Sequence, residues 1–232
     1  MATTGTSAFN LDITEIIEEA YERCFLEVRS GYDIKTARRS LNLLAIEWAN
    51  EGINMWTVEQ GSIALLTGVA TYDLPVDTVD LIEHVVRQDG IDINISRISV
   101  SNYSSIPNKT TTGRPIQLYI NRLSGATAPA AVIKYPTVTV WPVPIDATYT
   151  LIYWRLRRIQ DVGNGANTVD IPFRFLPALI AGLAYHIAMK RPETGERAIL
   201  LKQVYDQTFQ KAMDEDREKA SIRMVPRMQY IG

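Results

Sequence analysis

The hydrophobic period of this chain changes twice, and that switch limits the folds open to it. Ile13, Ile16, Ile17, Ala20, Tyr21, Cys24 and Val28 recur at i, i+3 and i+4, the spacing of one helix face. Asp12 is placed to cap this helix, with Glu15 three residues on as its reciprocal partner, and Gly31 suits the exit. After a short turn a second stripe follows: Ile34, Ala37, Leu41, Leu44, Ala45 and Trp48. Asp33 is its candidate cap and Gly52 its stop. Two helices joined by so few residues are expected to lie antiparallel.

From Trp56 to Arg158 the helical period is lost. Short β-rich runs replace it at Met55–Glu59, Ser62–Leu66, Ala70–Asp73, Leu81–Arg87, Ile91–Ile98, Ile116–Ile120, Ala131–Tyr135, Thr137–Trp141 and Thr148–Arg157. Turn signals separate them, among them Thr67-Gly68, Asp89-Gly90 and Pro142–Asp146. Both interleaved residue sets of the last run begin apolar, which predicts a strand buried on both faces. Helix then returns. Pro177 suits the first turn of a helix ending near Lys190 that is apolar on nearly every side, hence central. Pro192 breaks the chain, and residues 193–219 form a long helix with Ala198, Leu201, Tyr205, Thr208 and Ala212 on one face. The expected class is α+β: an antiparallel four-helix bundle of the N- and C-terminal helices around a central β-rich insertion, a small sandwich or barrel. The divisions are 1–54 (N-terminal helix pair), 55–160 (β insertion), 161–219 (C-terminal helices) and 220–232 (tail).

Composition narrows function more than fold. With 46% hydrophobic and 22% charged residues, the 232-residue chain has the material for a core, and wholesale disorder is excluded. A net charge of −2 argues against a dedicated, strongly basic nucleic-acid binder. A single cysteine, Cys24, forbids an intrachain disulfide and a multi-cysteine metal site. His84 and His186 lie far apart, and no phosphate loop or nucleophile elbow is present. No catalytic residue, metal or cofactor is expected. Residues 1–10 lack the features of a signal peptide, and the apolar run Leu176–Met189 is too short for a bilayer, so the chain reads as soluble with no membrane partner.

The charge is unevenly spread. Residues 1–60 hold ten acidic and five basic residues. Glu15, Glu18 and Glu22 share the polar face of the first helix and are candidates to line a channel, where like charge would let DNA slide rather than stick. At the other end, SIRMVPRMQYIG has no acid. It carries Met224, Val225, Met228 and Tyr230 beside Arg223 and Arg227, a pattern that calls for a partner. Two further surfaces are open to test. Tyr153, Trp154, Arg155, Arg157 and Arg158 on an open face would suit nucleic acid, but as part of a strand they read first as core and an interface rim. Trp141, Tyr153 and Trp154 in one plane would suit a glycan.

Several of these segments resemble the head-to-tail adaptor proteins of podoviruses, the tail tubular protein A or portal-adaptor gatekeeper family. ITEIIEEAYERC is followed by a helix with Ala37, Arg38, Arg39, Leu41 and Asn42. Then come Gly52 and Trp56, Glu59, and Tyr72, Leu74 and Pro75. VTVWPVPIDATYTLIYWRLRRI resembles the family's strand, W-P-x-P turn and aromatic strand, and IPFRFLPALIAGLAYHIAMK its buried third helix. The resemblance spans roughly residues 12–215. It implies a non-enzymatic virion protein of the neck, assembled in the host cytoplasm as a homo-oligomeric ring of twelve beneath the portal protein. The ring would extend the DNA channel toward the tail nozzle protein and the tail fibres, and genomic DNA would pass without specific binding. The helices would serve the ring and portal contact, the β elements would face the tail, and the C-terminal segment would reach into the portal. Arg223, Met224, Val225, Arg227, Met228 and Tyr230 are then the portal anchors. The alternatives are another phage tail or baseplate component, or a carbohydrate-binding β module.

Overall fold

The computed structural model describes residues 11–52, 55–122 and 135–216, together with Gly5 and Phe9. Among them lie five α-helices, α1 (Ile13–Arg23), α2 (Gly31–Asn50), α3 (Val100–Ser104), α4 (Leu176–Ala188) and α5 (Gly195–Glu215). The ten strands are β1 (Val58–Ala64), β2 (Thr71–Asp73), β3 (Thr78–Gln88), β4 (Ile91–Asn94), β5 (Ser96–Ile98), β6 (Thr112–Gly113), β7 (Gln117–Asn121), β8 (Thr137–Trp141), β9 (Val143–Pro144) and β10 (Tyr149–Arg157). The chain divides into two compact units, residues 1–44 with 162–232, and residues 45–161.

The first unit is helical. Asp12 Oδ1 accepts from the Glu15 amide at 2.8 Å while the Glu15 carboxylate accepts from the Asp12 amide at 2.9 Å, so two orphan donors of α1 are satisfied reciprocally. Gly165 O and Asn167 O accept from the Thr14 and Ile13 amides, tying the α1 start to the segment before α4. The cap of α2 differs from expectation. Asp33 sits inside the first turn, and Ser30 is the capping residue: the Asp33 amide donates to Ser30 Oγ at 3.3 Å and Asp33 Oδ2 accepts from the Ser30 amide at 3.1 Å. The Ser-x-x-Asp spacing allows both bonds at once, whereas Asp33 as cap would leave the Ser30 side unused.

The four-helix bundle is not what these helices form. Ten of the thirteen α4 residues are buried, and α4 packs along both α1 and α5. Among the described residues α2 makes no comparably extended packing with any of the three. Its Leu44 reaches α4 at Gly182, where Tyr205 of α5 also arrives, and the boundary between the two units falls inside α2, after Leu44. Helix lengths explain the difference. A bundle needs four matched helices sharing one core, but α1 and α4 span 11 and 13 residues against 20 and 21 for α2 and α5. One short helix that is apolar all round gathers its neighbours onto itself instead.

The second unit is β-rich. One sheet has the order β1-β10-β3-β4, another β2-β8-β7-β5, and β6 pairs with β9. Leu81, Val86, Leu151 and Tyr153 of the first sheet and Leu118, Ile120, Val138 and Val140 of the second belong to one apolar core. The expected single run Ile91–Ile98 is two strands. β4 pairs with β3, and after buried Ile95 the chain joins the other sheet as β5, parallel to β7. A one-residue step at a buried side chain lets a strand change sheets, and apolar alternation alone does not reveal it. β3 begins at Thr78, three residues before the expected Leu81. Helix α3, capped by Ser99, falls where no helix was expected. Residues 131–134 of the expected run Ala131–Tyr135 lie outside the described residues.

Candidate functional site

The acidic face comes first. The capping box fixes the start of α1, and with it the phase of every later residue. Glu15, Glu18 and Glu22 all lie exposed on one side of the helix, at the i, i+3, i+7 spacing that aligns side chains on one face. Glu15 has a second task, since its carboxylate holds the Asp12 amide. Glu19, at the margin of this face, is paired with Arg23 at 2.8 Å. The structure thus brings the three carboxylates together as an uncovered acidic surface. Arg223, Met224, Val225, Arg227, Met228 and Tyr230 lie outside the described residues.

The aromatic-basic strand does not present an open face. Successive residues of a strand point to opposite sides of its sheet. Tyr153 is therefore in the core, over Gly61 of β1, while Trp154 faces away. Arg155 and Arg157 keep only 12% of their side chains exposed, and both bind Glu59, at 2.8 and 2.7 Å; Arg155 also grips Asp77 at 2.6 Å. Burial works to raise the Asp77 pKa, and the hydrogen bond and charge of Arg155 outweigh it, leaving the carboxyl below its ordinary range. These guanidinium groups are paired with the half-exposed carboxylates of Glu59 and Asp77, so the open nucleic-acid face that the sequence offered as an alternative is not assembled. The glycan platform fails for the same reason: Tyr153 is inside, Trp141 belongs to the other sheet, and its indole Nε1 donates to Asn108 O at 3.1 Å.

Reactive groups are similarly engaged. Cys24 is buried and donates to Ala184 O at 3.1 Å, and burial pushes its thiol up to about 11. Burial also lowers the pKa of His84, whose Nδ1 is enclosed without a hydrogen-bond partner. Asp33 is held low, first by the Ser30 hydroxyl and also by the Arg29 amide and the Arg191 charge. Among the described residues no group of three or more His, Cys, Asp or Glu side chains is placed to hold a metal ion, and no helix is long and apolar enough to cross a membrane.

Apolar side chains are exposed in both units, and two groups of them lie on helices. On α2, Tyr32, Leu43 and Ile46 are exposed on the side opposite the buried stripe Ala37, Leu41, Leu44 and Trp48. On α5, Leu200 and Val204 are exposed along the flank of the helix beside buried Leu201, and Ile199 is exposed on the opposite side. The sequence carries the signal for the α2 residues, which fall out of phase with the apolar stripe of their own helix.

Exposed apolar surface of this kind agrees with what the family comparison finds. The SU10 adaptor protein family matches residues 12–229. The chain belongs to that family. It is a phage structural adaptor, a component of the virion, and the match agrees with the sequence resemblance to head-to-tail adaptors. No curated protein gives a significant match. For a member of this family the exposed strips of α2 and α5 and the acidic face of α1 are the surfaces of first interest, because an adaptor works by binding other virion components.

Proposed function

We propose that this adaptor closes into a ring of twelve copies beneath the portal protein, lengthens the DNA channel, and joins it to the tail nozzle and fibres. It has no enzymatic role in this reading. The observation that carries the proposal is the pair of unlike apolar strips on α2 and α5 in a member of the SU10 adaptor family. A single self-complementary patch suits a two-fold dimer, whereas two different patches suit a head-to-tail contact that closes by rotation.

The remaining surfaces take roles within that ring. Glu15, Glu18 and Glu22 line the channel and keep DNA phosphates from sticking. Residues 220–232 dock into the portal, with Met224, Val225, Met228 and Tyr230 as apolar anchors and Arg223 and Arg227 pairing with portal carboxylates. Docking of this segment buries its apolar side chains against the portal. The β-rich unit faces the tail. Deleting residues 222–232 tests the docking role. The expected outcome is an unchanged circular dichroism spectrum with loss of portal binding in a pull-down; undiminished portal binding by the truncated protein overturns the assignment.

A further inference from the structure

We infer that the α2 strip of one copy packs, with helices parallel, on the α5 strip of the next copy, and that this contact is the ring interface. The inference rests on the ring reading above and adds the surface, the orientation and the pairing residues. Leu43 and Ile46 stand one turn apart on exposed α2, and Leu200 and Val204 one turn apart on exposed α5. Each pair is too polar-rimmed to be core and too apolar to be indifferent to water.

Charge selects the arrangement. Lys35 and Arg39 precede the α2 strip, and Glu193 and Glu196 precede the α5 strip. Among the described residues these four exposed groups make no ion pair, while Arg23, Arg87, Arg97, Arg155, Arg174 and Arg191 all do. Setting Leu43 against Leu200 with the helices parallel puts Arg39 beside Glu196 and Ile46 next to Val204, with Lys35 level with the Pro192–Thr194 turn that carries Glu193. The antiparallel alternative puts Arg39 against Val204 and Lys35 within a turn of Lys211, so both cations lose their carboxylates. Asp206, further along α5 and on another side of the helix, is already paired with Lys202 at 3.2 Å. Complementary charge flanking an apolar centre fixes register and rejects wrong pairings. The two strips sit on different helices, so each copy offers one of each, as a head-to-tail ring requires.

The test uses Arg39→Glu and Glu196→Arg in the full-length protein, with mass measured by light scattering, alone and with portal protein. Each variant should keep the wild-type circular dichroism spectrum and weaken association roughly tenfold or more. An equimolar mixture of the two should regain the wild-type mass, because every contact in an alternating even-numbered ring is then again opposite in charge. Variants that assemble like wild type, or a mixture that fails to recover, overturn the α2–α5 contact while leaving the ring standing. The same holds if residues 217–232 of the same chain cover the α5 strip, which would show as stronger self-association on their deletion and indifference to Arg39→Glu. A wild-type protein that associates neither with itself nor with portal overturns both readings.

Discussion

Single residues show how closely the helical unit is fitted. A Cβ at Gly182 would stand 2.9 Å from both Leu44 Cδ2 and Tyr205 Cε2, so this position on α4 is where three helices meet without room for a side chain. Gly182→Val should lower stability by about 1–3 kcal/mol, as overpacking does, read as a reduced denaturation midpoint. Cys24 is the chemical counterpart. Buried, hydrogen-bonded to Ala184 O and titrating near 11, it should resist iodoacetamide at pH 8 in the native protein and react once the protein is denatured. Fast native alkylation would contradict its placement. Asp33 supplies a pH dependence. Its carboxyl titrates below the ordinary value of about 4, so its contribution is complete above that value and is lost as pH falls through the folded-state pKa. The stability difference between wild type and Asp33→Asn should therefore be present at neutral pH and close on acidification.

At the scale of elements, legibility followed period and cap chemistry. The buried stripe of α1 from Ile13 to Tyr21 and its Asp12–Glu15 cap were plain in the sequence because both depend on local spacing, whereas the expected continuation to Val28 and exit at Gly31 are not found: α1 ends at Arg23 and Gly31 opens α2. Asp12→Ala should cost about 1 kcal/mol, measured by denaturation. The capping of α2 was displaced because Ser30 and Asp33 are both good cap residues and only their reciprocal bonds decide between them. The switch of sheet between β4 and β5 was invisible because alternation is the same on either side of Ile95. The partners of the β10 arginines were hidden for a related reason: Arg155 and Arg157 find Glu59 and Asp77 at separations of 96, 78 and 98 residues, beyond any local pattern. The acidic face of α1, by contrast, needs only helical phase, and it was legible. Its proposed role is best tested at Glu18 and Glu22, since Glu15 also serves the cap. Glu18→Lys with Glu22→Lys should leave the fold intact and slow DNA passage through assembled particles; an unchanged ejection rate would remove these residues from the channel.

At the scale of the whole molecule, the central apolar helix was legible, but the expected four-helix bundle around it did not form, because the helices are of unequal length and α2 makes no extended packing with the others. α4 is apolar on nearly all sides, α5 fully buries only Leu201 and Ala212, and α2 keeps an exposed apolar side, so the helices gather on α4 and leave surface to spare. That spare surface, in a member of the SU10 adaptor family, is what the proposed assembly uses. The most direct test is the mass of the full-length protein, alone and mixed with its portal, by light scattering. The ring account predicts a complex carrying twelve adaptor copies per portal. Absence of any association with portal, across protein concentration and salt, would contradict it.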